Sequence, residues 1–173
     1  MRLHHVPLEG FSTVYSFCAA LAGYEGKKWE RLASKVDEDE VLSLREFGRT
    51  VMHWAAEDES RAKLVGVIAA RDAGLVNAQD NAGCTPLHVA AQFGREAAMQ
   101  ALLAAGADTN AQDTCGGTPL HLAVQYGGEA VARALLAAGA DTNAKDKLGS
   151  NSGYTPLFYA RHGGQAALVA LLS

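Results

Sequence analysis

Apolar residues occur along the chain in short runs whose spacing predicts amphipathic helices. In two stretches, three apolar side chains fall on a single helical face, as expected for a helix that packs on a neighbour. These residues are Met99, Leu102 and Leu103 in one stretch and Val131, Leu135 and Leu136 in the next. A glycine follows each stretch, at Gly106 and Gly139, and glycine commonly ends a helix. The pattern therefore predicts a repeated helical unit.

A six-residue segment that starts with threonine recurs four times and defines this unit. The copies are Thr50–Ala55, Thr85–Ala90, Thr118–Ala123 and Thr155–Ala160, whose starts lie 35, 33 and 37 residues apart. Threonine followed by proline, as in the last three copies, is a favourable helix start. Gly94 and Gly127 are predicted to end the first helix in the second and third units. Each unit cannot bury its apolar face alone, so neighbouring units are expected to stack.

These segments resemble the T-P-L-H-x-A motif of the ankyrin-repeat family, whose period is about 33 residues. The resemblance covers about residues 45–173. It implies an all-α fold, an ankyrin-repeat solenoid of stacked helix-turn-helix units with short β-hairpin loops. The expected domains are a helical N-terminal capping segment at 1–44 and four repeats at about 45–79, 80–112, 113–149 and 150–173.

The first and fourth units depart from the pattern. The first has Val51 and Met52 in place of proline and leucine, and Glu59 where later units have glycine. The linker before the fourth unit is four residues longer than the others and contains the polar stretch Leu148–Gly153. Insertions in repeat proteins tend to lie in loops on the binding face.

The two ends of the stack leave alternatives open. Within residues 1–44, Trp29, Leu32 and Val36 share a helical face, which favours a capping role over an independent activity. In the fourth unit, Leu168, Leu171 and Leu172 are expected to face outward with no polar cap after them. We therefore consider self-association through the C-terminal repeat, or a longer parent protein, as alternatives.

Composition narrows the classes of partner. The hydrophobic fraction is 49% and the net charge is −4 with a pI near 5.8, so neither nucleic acid nor membrane is an expected partner. Three cysteines, far apart in sequence, suit a reducing compartment better than a disulfide framework. We expect a cytoplasmic protein, with export as an effector as an alternative.

Three histidines at one position per unit raise the alternative of a metal site. Stacked helix pairs lie about 8–10 Å apart, whereas zinc requires imidazoles at about 2.0–2.1 Å, so His53, His88 and His121 are poor candidates. The family resemblance implies instead that each histidine bonds to the threonine three residues before it. Motifs for phosphate binding or nucleophilic catalysis do not occur. We expect no catalytic residue, no cofactor and no metal.

Candidate contact residues follow from the resemblance, since proteins similar to this one bind partners through a concave face and the hairpin tips. The equivalent positions at the ends of the first helices are Glu57, Asp58, Gln92, Phe93, Gln125, Tyr126, His162 and Gly163. Further candidates are Trp54 and Tyr159 on the first helices, and Phe47, Arg49, Asn81, Ala82, Thr114, Cys115, Lys147 and Leu148 in the hairpins. An alternative for Phe93 and Tyr126 is that the two rings only pack on each other. The acidic run 57–59 fits either a basic partner or a solvated face.

The resulting functional hypothesis is a non-enzymatic module that binds another protein, whose identity the sequence does not disclose. Narrower alternatives are an ankyrin-type inhibitor or a secreted effector that occludes a target enzyme. Another alternative is a docking arm for an activity in residues 1–44. Asn110 and Asn143 resemble hairpin asparagines that are hydroxylated in this family, so modification of this chain is a further hypothesis.

Overall fold

The computed structural model describes residues 47–148 and 153–173. The expected capping segment at 1–44 lies outside the described residues, so its role and the division between the two domains stay predictions.

Four pairs of helices follow one another in the described part, which contains eight α-helices and no β-strand. The first helices of the pairs are α1 (Val51–Ala56), α3 (Pro86–Phe93), α5 (Pro119–Leu122) and α7 (Pro156–His162). The second helices are α2 (Ala62–Arg71), α4 (Glu96–Ala104), α6 (Glu129–Ala137) and α8 (Ala166–Leu172). Short 3₁₀ turns at Glu59–Arg61 and Ala73–Asn77 flank α2, and a π-helical turn at Ala123–Gly127 continues α5. The all-α solenoid predicted from the sequence is confirmed.

Threonine starts each first helix as the sequence predicts. Thr50, Thr85 and Thr118 each form a capping box with the histidine three residues later, and the Thr155 side chain accepts a hydrogen bond from the Phe158 N–H. These bonds satisfy backbone donors that the first turn of a helix leaves open.

Glycine marks the ends of the first helices in the second, third and fourth units, whereas α1 is followed by Glu57. Gly94 and Gly164 adopt left-handed backbone conformations with φ of 67° and 66°. In the third unit, the helical segment ends at Gly127, the last residue of the π-helical turn, as predicted. The positive φ falls one residue later, at Gly128, whose φ of 83° and ψ of −178° lie outside the left-handed helical region. The Gly128 N–H closes this turn on the Ala123 carbonyl at 2.9 Å.

One core runs through the stack. A fully buried alanine recurs at the same position of each unit, at Ala55, Ala90, Ala123 and Ala160. Larger side chains fill the space between first and second helices, among them Met52, Ile68, Leu87, Met99, Leu102, Leu120 and Leu135. Neighbouring units thus bury each other's apolar faces, as expected of a solenoid.

The C-terminal leucines do not face outward. Leu168 and Leu172 are buried members of the core, and Leu171 is half-buried against it. Helix α8 contacts α6 of the preceding unit, and this contact directs the leucines into the stack. The prediction that these leucines face outward is therefore wrong. The hypothesis of self-association through the C-terminal repeat rested on that prediction and is no longer supported by it.

Candidate functional site

A buried histidine links each of the first three units to the next. The imidazole Nδ1 of His88 accepts from the Thr85 N–H at 3.1 Å, so the hydrogen of the neutral ring lies on Nε2, 3.1 Å from the Gly117 carbonyl oxygen of the following hairpin. His53 and His121 bond in the same way to the carbonyls of Cys84 and Tyr154. Burial lowers the pKa of His88, which keeps the ring neutral. These histidines hold the stack together.

Backbone hydrogen bonds also join successive hairpin tips. The N–H groups of Asn81, Thr114 and Lys147 donate to the carbonyls of Phe47, Ala82 and Cys115 at 2.9, 2.9 and 2.7 Å. The tips touch so closely that a Cβ added at Gly83, whose φ is 77°, would lie 2.8 Å from the Thr114 nitrogen. The loops are therefore held at fixed positions relative to one another.

An aspartate closes the base of each of the last three hairpins. Asp80 Oδ1 accepts from the N–H groups two and four residues later, and Asp113 Oδ1 does the same. Asp146 Oδ1 accepts from the N–H groups of Leu148 and Tyr154, so its closure spans the four-residue insertion. Sequence analysis missed this role, although the recurrence of aspartate at one position per unit could have indicated it.

Tyr159, predicted to contact a partner, is half-buried and bound within the chain. Its hydroxyl donates to Asp146 Oδ2 at 2.5 Å. Burial would raise the pKa of Asp146, but hydrogen bonds from Tyr154, Tyr159 and Leu148 outweigh it and hold the pKa below its ordinary value. Burial and the bond to Asp146 raise the pKa of Tyr159. This residue anchors the fourth hairpin.

Two aromatic side chains are exposed at equivalent positions of adjacent units. Phe93 at the end of α3 is 47% exposed and Tyr126 in the π-helical turn is 66% exposed. Neither ring forms an aromatic pair with another described residue, so stacking of one on the other does not account for their positions. Gln92 is exposed and Gln125 half-buried beside them. We call these four residues the aromatic surface.

The hairpin tips present a second apolar feature. One residue at the tip of each hairpin is exposed and apolar or a thiol, and we call these residues the tip row: Phe47, Ala82, Cys115 and Leu148. Phe47 is 77% exposed and Leu148 62%. Phe47 also has a φ of 53°, the one positive value among described residues other than glycine. A bulky residue in this conformation is strained and can mark a functional position.

The remaining hairpin candidates lie beside the tip row. Asn81, Thr114 and Lys147 are exposed, as predicted for contact residues. Arg49 is partly exposed, but its guanidinium pairs with Glu57 at 2.6 Å.

The acidic run 57–59 has partners within the chain. Besides the Arg49–Glu57 pair, Asp58 Oδ1 accepts from the N–H and hydroxyl of Ser60, and Glu59 Oε1 accepts from the Ala97 N–H at 2.7 Å. The bonds to Ser60 lower the pKa of Asp58. These carboxylates stabilise the first unit, and the Glu57 carbonyl also accepts from the Arg95 side chain.

Trp54 is not a surface residue. Its side chain is only 9% exposed and belongs to the core. The guanidinium of Arg61 lies over the indole ring, 3.9 Å from its centroid. The prediction that Trp54 contacts a partner is therefore wrong, because the following turn covers the ring.

His162 is exposed at the end of α7, and its ring lies against Phe158. The centroids of these rings are 3.8 Å apart, and Phe158 stacks on Tyr154 at 4.0 Å. Phe158 occupies the position of the linking histidines and packs through its ring instead.

The asparagines considered as modification sites differ in their contacts. The Asn110 side chain accepts from the Asp141 N–H at 2.8 Å and donates to the Gly139 carbonyl at 3.4 Å, which ties it to the next unit. Asn77 makes the equivalent bonds one unit earlier. Asn110 and Asn143 are both exposed, and their hydroxylation stays a prediction.

The thiols and imidazoles of the described residues do not gather into a metal site. Groups of three or more histidine, cysteine, aspartate or glutamate side chains suited to a metal ion are absent from this part of the chain. Cys84 and Cys115 carry free thiols, and burial raises the pKa of Cys84 to about 11. Within 47–148 and 153–173, the helices are too short or too polar to cross a membrane.

Comparison with known families agrees with this geometry. A family model for ankyrin repeats matches in three overlapping copies, over residues 17–113, 52–146 and 106–173. No curated protein matches the chain. Four repeats were predicted from the sequence, whereas the family model matches three times. Each match is longer than a single repeat of about 33 residues.

The chain belongs to the ankyrin-repeat family. Ankyrin repeats indicate a module for protein–protein interaction, and such repeat proteins are generally non-enzymatic.

Proposed function

We propose that this protein binds a partner protein through the aromatic surface, with the tip row as a flanking contact. The observation that carries the proposal is the exposure of Phe93 and Tyr126 at the same position of adjacent units. Aromatic side chains supply much of the energy at protein interfaces. The hydrogen bonds between units hold the two units that carry these rings at fixed positions relative to each other, so little backbone ordering is needed on binding.

The test is affinity capture from the native lysate with quantitative mass spectrometry. The variant Phe93→Ala/Tyr126→Ala is expected to lose the partner, with binding weakened by more than about 1 kcal/mol. A matched control, Gln100→Ala/Arg133→Ala, changes two exposed residues of the second helices and is expected to retain it. Both variants should unfold at nearly the wild-type temperature, because the four side chains are not in the core.

The result that contradicts the proposal is equal capture of every partner by the wild type and the aromatic double variant. A further variant, Phe47→Ala, separates the tip row from the aromatic surface. An inhibitor or an effector would make the same use of Phe93 and Tyr126. Those narrower roles predict in addition that the captured protein is an enzyme whose activity falls on binding.

A further inference from the structure

Three exposed cations lie toward the C-terminal end of the stack. Lys145 and Lys147 in the fourth hairpin and Arg161 near the end of α7 are exposed. None of the three forms an ion pair with another described residue. Asp146 lies between the lysines in sequence, but it is buried and binds Tyr159 and two backbone N–H groups. Its carboxylate is therefore directed into the protein.

At the N-terminal end of the stack, acidic and basic side chains form ion pairs with each other. Glu57 pairs with Arg49, and Asp58 lies 3.4 Å from Arg61. Between the two ends, the aromatic surface has no ionised side chain, since Gln92 and Gln125 flank the rings. The binding surface thus runs from a balanced end, across a neutral aromatic centre, to a cationic end. The whole chain has a net charge of −4, so the cationic end is a local feature.

We propose that the partner segment binds in one direction, with its carboxylates at Lys145, Lys147 and Arg161 and an apolar side chain on Phe93 and Tyr126. This inference rests on the proposed function and adds the chemistry and orientation of the partner. Unpaired exposed cations attract carboxylates and contribute mainly to orientation and association rate. The reverse orientation would place those carboxylates beside Glu57 and Asp58.

The spacing of the units limits the partner sequence. Adjacent helix pairs lie about 8–10 Å apart, so a carboxylate at Arg161, on the neighbouring first helix, lies about one such spacing beyond the residue on Tyr126. An extended chain covers this distance in about three residues, at about 3.3 Å per residue. The expected partner segment has an aromatic or aliphatic residue followed, on one side only, by aspartate or glutamate about three positions away.

A protein segment fits this surface better than a nucleic acid does. A nucleic acid has a phosphate at every nucleotide and needs positive charge along its whole path. Here the three exposed cations proposed as contacts, Lys145, Lys147 and Arg161, lie toward one end, and at the other end the cations Arg49 and Arg61 are paired with Glu57 and Asp58. A discrete acidic group on a protein segment matches this distribution.

The experiment selects phage-displayed random 16-residue peptides on the immobilised full chain. Enriched peptides are synthesised and their affinities measured for four variants: Phe93→Ala/Tyr126→Ala, Lys147→Glu, Arg161→Glu and Arg133→Glu. Arg133 is an exposed arginine on α6 that pairs with Glu129 of the same helix at 2.6 Å, and its reversal gives the same change in net charge away from the proposed surface. All variants are first checked for wild-type thermal unfolding.

We expect enriched peptides to contain the apolar residue with acidic residues on one consistent side. Lys147→Glu and Arg161→Glu should each weaken binding about threefold to tenfold at low ionic strength, and less at high salt. Arg133→Glu should change it less than about twofold. Peptides that require Phe93 and Tyr126 but tolerate both reversals would overturn the orientation and leave the proposed function intact.

Failure to enrich any peptide that requires the two aromatic residues would overturn both proposals. A labelled 20-nucleotide oligouridylate provides the competing class of ligand. If it binds more tightly than the peptides and is weakened by the same two reversals, the cationic end is a nucleic-acid contact and the inference is wrong.

Discussion

Removal of the His88 imidazole should destabilise the protein by breaking the link between two repeats. The ring is fully buried, and it joins Thr85 at the start of α3 to the Gly117 carbonyl in the next hairpin. His88→Ala removes these bonds and changes no exposed side chain.

The expected loss is about 3 kcal/mol in the free energy of unfolding. The buried Thr85 N–H loses its acceptor, which costs about 1–3 kcal/mol. The Gly117 oxygen keeps its bond from the Asp113 N–H, so the lost Nε2 bond contributes only about 1 kcal/mol. The space left by the ring adds to this cost. The sum is a large fraction of the total stability expected for a domain of this size.

Urea unfolding followed by circular dichroism measures the effect. The matched control is Gln92→Ala, which truncates an exposed residue of the same helix and should change stability by less than about 0.5 kcal/mol. A loss below about 1 kcal/mol for His88→Ala would refute the argument that this buried link stabilises the stack. It would mean that the neighbouring units repack without it.

Three further predictions concern pH, a helix glycine and the fourth hairpin. Because burial lowers the pKa of His88 from about 6.5, the unfolded chain takes up this proton first on acidification. At pH values below about 6.5, the free energy of unfolding should decrease as the pH is lowered, by at most about 1.4 kcal/mol per pH unit for this group. Equal pH dependence of the free energy of unfolding in the wild type and in His88→Ala would contradict this prediction. Gly66→Ala should raise the urea midpoint of unfolding by the equivalent of about 0.5–1 kcal/mol. The reason is that Gly66 lies inside α2 and an added Cβ meets no atom within 4 Å. An unchanged midpoint would contradict this prediction. Tyr159→Phe should lower the free energy of unfolding by about 1–2 kcal/mol, because it removes the hydrogen bond to Asp146. It should also speed hydrogen exchange of the Tyr154 amide. Unchanged exchange would show that the hydroxyl does not anchor the hairpin.

The sequence predicted the fold because several independent signals recur at a fixed spacing. Threonine, proline and histidine define the start of the first helix in the second and third units, and the structure places the threonine and histidine in capping bonds. Which glycine takes the positive φ after the third unit's first helix was not predictable in the same way, because Gly127 and Gly128 are adjacent. Both residues tolerate positive φ, and the choice between them depends on the π-helical turn.

The site was predicted less well because exposure depends on neighbours outside the motif. Trp54 and Tyr159 occupy equivalent positions on first helices, but Arg61 covers one and Asp146 binds the other. The direction of the C-terminal leucines also depends on how α8 packs on α6. Phe93 and Tyr126 were predictable candidates because each directly precedes a glycine in a nearly complete repeat.

Asp146 allows the fourth hairpin to be longer than the others without a change in how the repeats stack. Its carboxylate accepts from the residue two positions later and from the residue before the helix-starting threonine, as Asp80 and Asp113 do in the shorter hairpins. The two anchored N–H groups therefore stay in place when residues are added between them. For protein engineering, the chain between Leu148 and Tyr154 is therefore an insertion site, where a foreign peptide can be grafted and displayed without redesign of the supporting repeats.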